Sequence, residues 1–477
     1  NNFDGDVVSL ATVILRSPNP NKAPDPVVLL QGGPGFSALG LTSFVADAWA
    51  PVLQTRDVIL FDQRGAGFSQ PSLFCPPLSV DTLLGRTPVG AFAEQQRPEV
   101  IDRQIAAFTA CGRAYQEAGV DLTKYNSAEN AADIEDLRRA LGYNQINLFG
   151  ASYGTRLALE AMLFRPATIR SVIIDSVVPM QTEFQPEFPR SLDLAFEALF
   201  ASCGADAACN AAYPSLGAQW DALYARLNSA PIQLPIVNLD TGELVDYLPV
   251  NGWDFTNVVN LLLADTLAIP LVPALIGETS AGRNDLLTNL VSRFYQPGGA
   301  PQPPQLGFAT MAYTATQCYD DAPFMTATDF IRICDQHRRG QPLSTEMPVN
   351  EAFLEVCANL GLGTTTPAYA DQPLHSDLPT FVIAGEIDPR TPPGNAVTAA
   401  STLSRSTPVA VYPRGGHGPS FTSPCLNGAV AQFLNDPSTP PDTSCMAAET
   451  RPYLQPAEAQ AKLAQLTTDW SWVQRLR

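Results

Sequence analysis

The 477-residue chain is poor in basic residues and contains no long apolar segment. It has 28 lysines and arginines against 47 aspartates and glutamates, which gives a formal charge of −19. Nucleic acids and anionic membrane surfaces attract basic patches, so this composition argues against both as partners. No run approaches the roughly 18 consecutive apolar residues that a membrane-spanning helix needs, so no integral membrane segment is predicted.

The sequence also lacks the common signatures of metal and cofactor sites. It has no Cys-x-x-Cys pair, no histidine beside a pair of cysteines, no phosphate-binding loop and no dinucleotide fingerprint. We therefore predict a protein that uses neither a metal nor a cofactor. Histidine itself is scarce, since the chain has only His337, His375 and His417.

Nine cysteines, by contrast, indicate an exported protein. Disulfides persist in oxidising, extracytoplasmic compartments. The chain begins at Asn1 rather than at a methionine, which indicates that an N-terminal segment such as a signal peptide is missing. We expect a secreted or cell-envelope protein in which Cys334 is unpaired. The expected disulfides are Cys75–Cys111, Cys203–Cys209, Cys318–Cys357 and Cys425–Cys445.

Apolar patterning divides the chain into three parts. Within residues 1–179, short strand-like runs such as "PVVLLQ" and "DVILFDQ" alternate with helical patterns. Helical stretches such as "FTNVVNLLLADTL" prevail in residues 180–375, and strand-like runs return in residues 376–477 with "PTFVIAG" and "PVAVYP". Strands separated by helices predict an α/β fold whose mostly parallel sheet has helices on both faces. The middle part is predicted to be a large, mainly helical lid insertion, and the last part to include a C-terminal disulfide segment.

The segment "NLFGASYGTRLALE" places Ser152 between two glycines where a strand-like run gives way to a helical pattern. Residues 150–154 match G-x-S-x-G, the spacing of a nucleophile elbow, a strained turn that exposes a serine hydroxyl. The glycines are needed because a Cβ on either side would clash where the chain doubles back. An ordinary glycine-flanked turn has the same local sequence, so a nucleophilic Ser152 requires a base and an acid elsewhere.

His417 is the best candidate for the base. It lies in "YPRGGHGPS", a glycine-rich loop that follows a strand-like run near the end of the predicted sheet. His337 lies among charges in "CDQHRRG" and is interpreted as a solvated surface residue. His375 precedes the predicted strand at residue 380 and is placed in a connecting loop.

The acid that orients this base is expected at the end of the strand in "FVIAGEIDPRTPP". Asp388 is favoured because an Asp-Pro turn fixes its side chain beyond the strand, and Glu386 is the alternative. The chain order Ser152, Asp388, His417 is that of α/β-hydrolases and differs from the orders in chymotrypsin and subtilisin.

An oxyanion hole is predicted in "LLQGGPGF", which directly follows a strand-like run. A tetrahedral intermediate needs two preorganised N–H donors. The glycines of this loop can supply one, with Gly33 preferred and Gly32 the alternative. The N–H of Tyr153, just after the nucleophile, supplies the other.

Five motifs together resemble the proline iminopeptidase and tripeptidyl aminopeptidase family of α/β-hydrolases. They are "QGGPG", "DQRGAGFS", "GASYGT", "GEIDPRTPP" and "GGHG". The resemblance covers nearly the whole chain, including the cysteine-bearing C-terminal segment of the secreted bacterial tripeptidyl aminopeptidase branch. It implies a triad of Ser152, Asp388 and His417, with Gly33 and Tyr153 as the oxyanion hole.

Two further expectations come from this resemblance. The motif Asp62-Gln63-Arg64-Gly65 is expected to form a buried network that supports the loop over the active site. The iminopeptidase pattern begins His-Gly-Gly-Pro-Gly, and here Gln31 replaces that histidine. The departure leaves the catalytic histidine untouched and shifts the match towards the secreted relatives.

The predicted function is that of a serine hydrolase that cleaves peptides from the N-terminus, as an aminopeptidase of tripeptidyl or prolyl type. A substrate ammonium then needs a carboxylate near the serine, and Asp320 and Asp321 in "TQCYDD" are the candidates. The alternative is a carboxylesterase or amidase acting on small hydrophobic substrates, because the same machinery cleaves esters. The sequence leaves the oligomeric state open.

Overall fold

The computed structural model describes residues 7–75, 98–239, 241–294, 304–337, 339, 351–364 and 366–466. Nine strands lie within them: β1 (Thr12–Leu15), β2 (Val27–Leu30), β3 (Val58–Phe61), β4 (Ile146–Ala151), β5 (Ile169–Asp175), β6 (Ile232–Val237), β7 (Leu244–Val250), β8 (Thr380–Gly385) and β9 (Ala410–Tyr412). In this described part, seven strands form one sheet in the order β1–β3–β2–β4–β5–β8–β9. Only β1 pairs antiparallel there, so the prediction of a mostly parallel sheet is confirmed.

The helices of the core cover both faces of this sheet. Alternate residues of a strand point to opposite faces. Val28 and Leu30 accordingly pack in one apolar cluster, and Val27 and Leu29 pack in another. The first cluster contains α4 (Ser127–Ala140), α5 (Tyr153–Phe164) and α15 (Pro393–Ala400), and the second contains α1 (Thr42–Ala48), α2 (Ala50–Leu53) and α16 (Pro424–Asn435). Burial on both faces explains why these strands read as continuous apolar runs.

The chain leaves the sheet after β5 and returns to it at β8, which pairs directly with β5. The described residues in between are mainly helical, with the addition of an antiparallel hairpin of β6 and β7 that the sequence did not indicate. The helices are α6 (Phe184–Ala205), α7 (Ala207–Ala212), α8 (Leu216–Ser229), α9 (Gly252–Ala264), α10 (Val272–Ser280), α11 (Asp285–Phe294), α12 (Thr310–Asp320), α13 (Ala327–Gln336) and α14 (Glu351–Leu360).

The insertion has two apolar cores. The larger contains α6, α8, α9, α10 and the hairpin. The smaller joins α12 and α14 to α3 (Pro98–Glu117), a helix that precedes the elbow in the chain. The segment before residue 179 therefore contributes to the packing of the insertion, and the boundaries of the three predicted parts stay a prediction. The last two helices among the described residues are α17 (Met446–Glu449) and α18 (Pro456–Leu466).

Four disulfides join described cysteines, and all four expected pairs are confirmed. They are Cys75–Cys111, Cys203–Cys209, Cys318–Cys357 and Cys425–Cys445. The prediction that Cys334 is unpaired concerns a side chain outside the described part of the structure. Disulfide usage of this kind fits an extracytoplasmic environment. Across the described ranges, no helix is long and apolar enough to cross a membrane.

Candidate active site

Ser152 forms the turn between β4 and α5. Its backbone has φ 55° and ψ −128°, a strained conformation for a residue with a side chain. A Cβ on Gly150 would overlap the carbonyl group of Gly154, and a Cβ on Gly154 would overlap the carbonyl oxygen of Leu30. Both glycines of the motif are therefore required by close backbone contacts, as the geometry of a nucleophile elbow demands.

The glycine loop after β2 lies directly against this turn. A Cβ on Gly32 would be 2.8 Å from the Cβ of Ser152 and 3.3 Å from its Oγ. Gly33 has φ 114°, a conformation that favours glycine. The N–H of Ala309 donates to the carbonyl oxygen of Gly35 at 3.0 Å. The loop is thus held between the elbow and the insertion. Tyr153 begins α5, so its N–H is among those that have no partner within the helix.

The Asp-Gln-Arg-Gly segment, residues 62–65, is hydrogen-bonded to this loop and to the residues that follow it. The buried carboxylate of Asp62 accepts hydrogen bonds from the Ser37 hydroxyl at 2.9 Å and from the Leu39 N–H at 3.0 Å. Gln63 donates from Nε2 to the carbonyl oxygen of Gln31 at 2.8 Å. The contact uses the backbone of residue 31, so it is compatible with either glutamine or histidine at that position.

Arg64 completes this network on the side of α4. Its guanidinium binds both carboxylate oxygens of Asp133, at 2.7 and 2.6 Å, and donates to the carbonyl oxygen of Lys124. Burial raises the pKa of Asp133 and the ion pair with Arg64 opposes this effect, with a net rise. The network therefore joins the loop after β3 to α4, the helix that precedes β4.

His417 and Asp388 form a close pair beyond the ends of β9 and β8. Nδ1 of His417 lies 2.8 Å from Oδ2 and 3.0 Å from Oδ1 of Asp388, whose side chain is fully buried. Asp388 also accepts hydrogen bonds from the N–H groups of Arg390 and Thr391 and from the Thr391 hydroxyl. Burial alone would raise the pKa of Asp388, but the neighbouring His417 and these donors outweigh it and lower the pKa below its usual range.

The other candidates for base and acid have different surroundings. Glu386 accepts a hydrogen bond from the N–H of Arg414 at 2.7 Å. Nδ1 of His337 lies 3.1 Å from Oδ2 of Asp193, within the insertion. His375 is exposed in the segment before β8. Among the three histidines, His417 is the one that contacts a carboxylate at the edge of the main sheet.

Asp320 and Asp321 lie at the end of α12, buried beside Arg156 of α5. Arg156 Nε is 3.5 Å from Oδ2 of Asp320, and Arg156 Nη1 is 3.9 Å from Oδ1 of Asp321. Asp320 also accepts a hydrogen bond of 2.5 Å from the Ser127 hydroxyl, which contacts the Tyr153 hydroxyl at 2.7 Å. These contacts give both carboxylates a structural partner, so their role in binding a substrate amine stays a prediction.

The insertion also touches the loop that carries His417. The N–H of His417 donates to the carbonyl oxygen of Ala264 at 2.8 Å, and the N–H of Gly416 donates to the Thr266 hydroxyl at 3.0 Å. Ala264 ends α9. The insertion therefore contacts both the glycine loop and the His417 loop. Sequence analysis did not identify Ala264 or Thr266, because contacts between segments about 150 residues apart leave no local residue pattern. Thr391 lies only three residues after Asp388, within the quoted motif, and its hydrogen bonds to Asp388 were not anticipated.

The sheet order accounts for the proximity of these elements. β4, β5, β8 and β9 are neighbouring parallel strands, so their carboxyl ends lie at one edge. Ser152 follows β4, Asp388 follows β8 and His417 follows β9. Ligands bind at this edge in open α/β sheets. A serine hydroxyl, an imidazole fixed by a buried carboxylate, and N–H donors are the groups that acyl transfer requires.

Fold, elbow and His–Asp pair define the class of protein: the chain is an α/β hydrolase. Residues 25–211 match the family model described as "alpha/beta hydrolase fold". Residues 342–445 match the model described as "TAP-like protein". The chain therefore has the α/β-hydrolase fold and carries a TAP-like segment, and the resemblance seen in its motifs is confirmed.

Several known proteins are similar to this one over most of its length. The serine protease Hip1 of Mycobacterium tuberculosis is 25% identical over 453 residues, 92% of this chain and 83% of that protein. The tripeptidyl aminopeptidase of Streptomyces lividans is 25% identical over 423 residues, 84% of this chain and 73% of that protein. A Mycobacterium tuberculosis protein called carboxylesterase B is also 25% identical, over 90% of this chain and 81% of its own length.

Proposed function

We propose that the protein is a serine peptidase that cleaves short peptides from the N-terminus through an acyl-enzyme. The observation that carries this proposal is the pairing of His417 with the buried Asp388 at the sheet edge where the strained Ser152 turn also lies. The relatives named serine protease Hip1 and tripeptidyl aminopeptidase support peptides as the substrate class.

Each proposed catalytic residue has one role. Ser152 Oγ attacks the scissile carbonyl while Nε2 of His417 takes its proton. Asp388 binds Nδ1, which holds the tautomer that leaves Nε2 free to accept and stabilises the imidazolium that forms. Backbone N–H groups of Gly33 and Tyr153 stabilise the oxyanion. His417 then returns the proton to the leaving amine, and a water molecule hydrolyses the acyl-enzyme by the same route.

The preference for an N-terminus requires recognition of the substrate ammonium. An ammonium that enters a cleft of low dielectric must meet a carboxylate or lose solvation energy. Asp320 and Asp321 are the proposed partners, and Arg156 competes with the substrate for both. The insertion, which contacts the loops around Ser152, is proposed to act as a lid that limits substrate length.

A carboxylesterase or amidase is the second candidate. The burial of Asp320 and Asp321 against Arg156 favours it, because their charges already have a partner. The relative named carboxylesterase B supports the same alternative.

A substrate panel separates the two functions. Aminoacyl, dipeptidyl and tripeptidyl chromogenic amides are compared with simple p-nitrophenyl esters, each amide also in an N-acetylated form. A peptidase of the proposed type cleaves the free amides and loses most of its kcat/KM when the amine is acetylated. Equal rates on free and acetylated amides, together with faster ester cleavage, would leave the esterase as the function.

The four disulfides support a secreted or cell-envelope location as part of this proposal. Fractionation of the native host with an antibody against the protein tests it. Recovery mainly in the reducing cytoplasm would contradict the proposal.

A further inference from the structure

Two consecutive residues at the end of β5 lie between the elbow and the strand that leads to Asp388. The carbonyl oxygen of Asp175 accepts a hydrogen bond of 3.0 Å from the N–H of Ser152. On the other side, the N–H of Ser176 donates to the carbonyl oxygen of Ile383 in β8 at 3.1 Å. This pair of residues is therefore bonded both to the nucleophile and to the neighbouring strand.

The side chains of the same pair hold the loop after His417. Oδ2 of Asp175 accepts hydrogen bonds from the N–H of Ser420 at 3.0 Å and from its hydroxyl at 2.5 Å. The hydroxyl of Ser176 accepts from the N–H of Gly418 at 2.8 Å and donates to Oδ1 of Asp175 at 3.3 Å. A continuous set of hydrogen bonds thus joins the backbone of Ser152 to the residues that follow His417.

These buried polar residues cost free energy that simple packing of the loop against β5 would not require. Asp175, Ser176 and Ser420 are all fully buried, and burying a carboxylate without a cation bonded to it is unfavourable. Ser176 also has φ 60°, a strained backbone for a residue other than glycine. An apolar side chain at position 175 would avoid the cost of the buried carboxylate, and glycine at position 176 would avoid the strain, so a functional reason for the polar pair is expected.

We propose that Asp175 and Ser176 are positioning residues that fix the His417 loop relative to Ser152. The inference rests on the proposed roles of Ser152 and His417. A general base must lie within hydrogen-bond reach of the proton that it takes. His417 lies on a loop, and loops are more mobile than the strands they connect. Hydrogen bonds from the rigid end of β5 keep this loop at the distance that proton transfer needs.

The charge of Asp175 adds an electrostatic effect. Burial raises the pKa of Asp175 to about 6, while its hydrogen bonds to Ser420 and the neighbouring His417 oppose the rise and Asp388 adds to it. Asp175 is therefore ionised at neutral pH and places a negative charge near His417. A variant that lacks this carboxylate also lacks its titration near pH 6.

The test uses Asp175→Asn, which keeps the shape of the side chain and removes its charge. We expect kcat to fall about 10- to 100-fold with KM little changed, as for a small misplacement of a catalytic group. We also expect the acidic limb of the kcat/KM profile to become less steep, because the carboxylate with a pKa of about 6 is absent from the variant. Ser420→Ala removes one of the two hydrogen bonds that Ser420 donates to Asp175 and is expected to lower kcat in the same direction, which decides the proposal if Asp175→Asn does not fold.

Ser171→Ala is the matched control, because it removes a buried serine hydrogen bond, 2.7 Å to Asn147, at the opposite end of the same strand. It should lower Tm and leave kcat unchanged. Wild-type kcat and pH profile in both test variants, or losses no larger than that of Ser171→Ala, would overturn the proposal. Rates are measured on a p-nitrophenyl ester and by fluorophosphonate labelling as well as on peptides, so the outcome does not depend on the substrate being a peptide.

Discussion

Gly154 packs so closely against Leu30 that a side chain at position 154 would overlap the carbonyl oxygen of Leu30. The contact joins the first turn of α5 to the end of β2, where the glycine loop begins. It therefore sets the distance between the Ser152 turn and the proposed oxyanion hole. A shift of the first turn of α5 would displace the Ser152 turn, and a shift of the end of β2 would displace the glycine loop.

Gly154→Ala is expected to lower kcat/KM by about 100-fold or more, because the added methyl group displaces the elbow from the glycine loop. Gly428→Ala is the matched control, since a Cβ on this residue of α16 meets no atom within 4 Å. The control should keep wild-type activity and gain about 0.5–1 kcal/mol in stability, as expected for glycine replaced within a helix. Wild-type kinetics in Gly154→Ala would contradict the role of this contact.

Ser152→Ala should abolish hydrolysis of peptides and esters, with a loss on the order of 10⁶ in kcat, as for nucleophile removal in other serine hydrolases. Fluorophosphonate labelling should disappear as well, while circular dichroism stays native because the side chain is small and lies at the turn. A variant that turned over substrate at the wild-type rate would remove Ser152 from the mechanism.

Asp388→Asn should lower kcat by about 10⁴, because an asparagine amide favours the wrong tautomer of the histidine. Glu386→Gln is the matched control, since the Glu386 carboxylate accepts the N–H of Arg414 and the amide oxygen can do the same. Steady-state kinetics of both variants compare the two acids directly. If the large loss occurred in Glu386→Gln and not in Asp388→Asn, the assignment of the acid would be wrong.

Asp320→Asn removes one of the two carboxylates beside the buried Arg156, so we expect a lower Tm. If Asp320 also binds the substrate amine, the variant narrows the ratio of kcat/KM between free and N-acetylated substrates. Thermal unfolding and this ratio are measured on the same preparation. A lower Tm with an unchanged ratio would exclude Asp320 from substrate binding and limit it to the ion pair.

Glu160 predicts a pH dependence of stability. Burial, followed by the neighbouring Asp320, raises its pKa to about 8 from a usual 4.5, although Arg156 opposes the rise. Between these values the folded protein binds a proton that the unfolded chain has lost, so stability falls as the pH rises from about 4.5 to 8.

The test compares the Tm of the wild type with that of Glu160→Gln between pH 5 and 9. The glutamine of this variant cannot ionise. Relative to the variant, the free energy of unfolding of the wild type should fall by on the order of a few kcal/mol as the pH rises across this interval. Other groups titrate in both proteins and cancel in the difference. Parallel curves would show that the proton on Glu160 is not linked to folding.

The sequence alone determined the features that depend on neighbouring residues. The two glycines around Ser152 were predictable because part of their clash lies within the same turn, between positions 150 and 154. Continuous apolar runs identified the central strands because both faces of a parallel sheet are buried. The cysteine spacing gave the four disulfide pairs, each of which closes a segment of fewer than 40 residues.

Only the tertiary structure decided which of the distant candidates meet. Asp388 and Glu386 are two residues apart, and the sheet order brings His417 to the carboxylate of Asp388. Asp320 lies far from Arg156 in the sequence, and the fold brings the two side chains together as a buried ion pair, while the role of Asp320 in binding a substrate amine stays a prediction. The bonds from Asp175 to Ser420 span 245 residues. Such contacts depend on how the strands and helices are arranged in the fold, and residue types alone do not determine that arrangement.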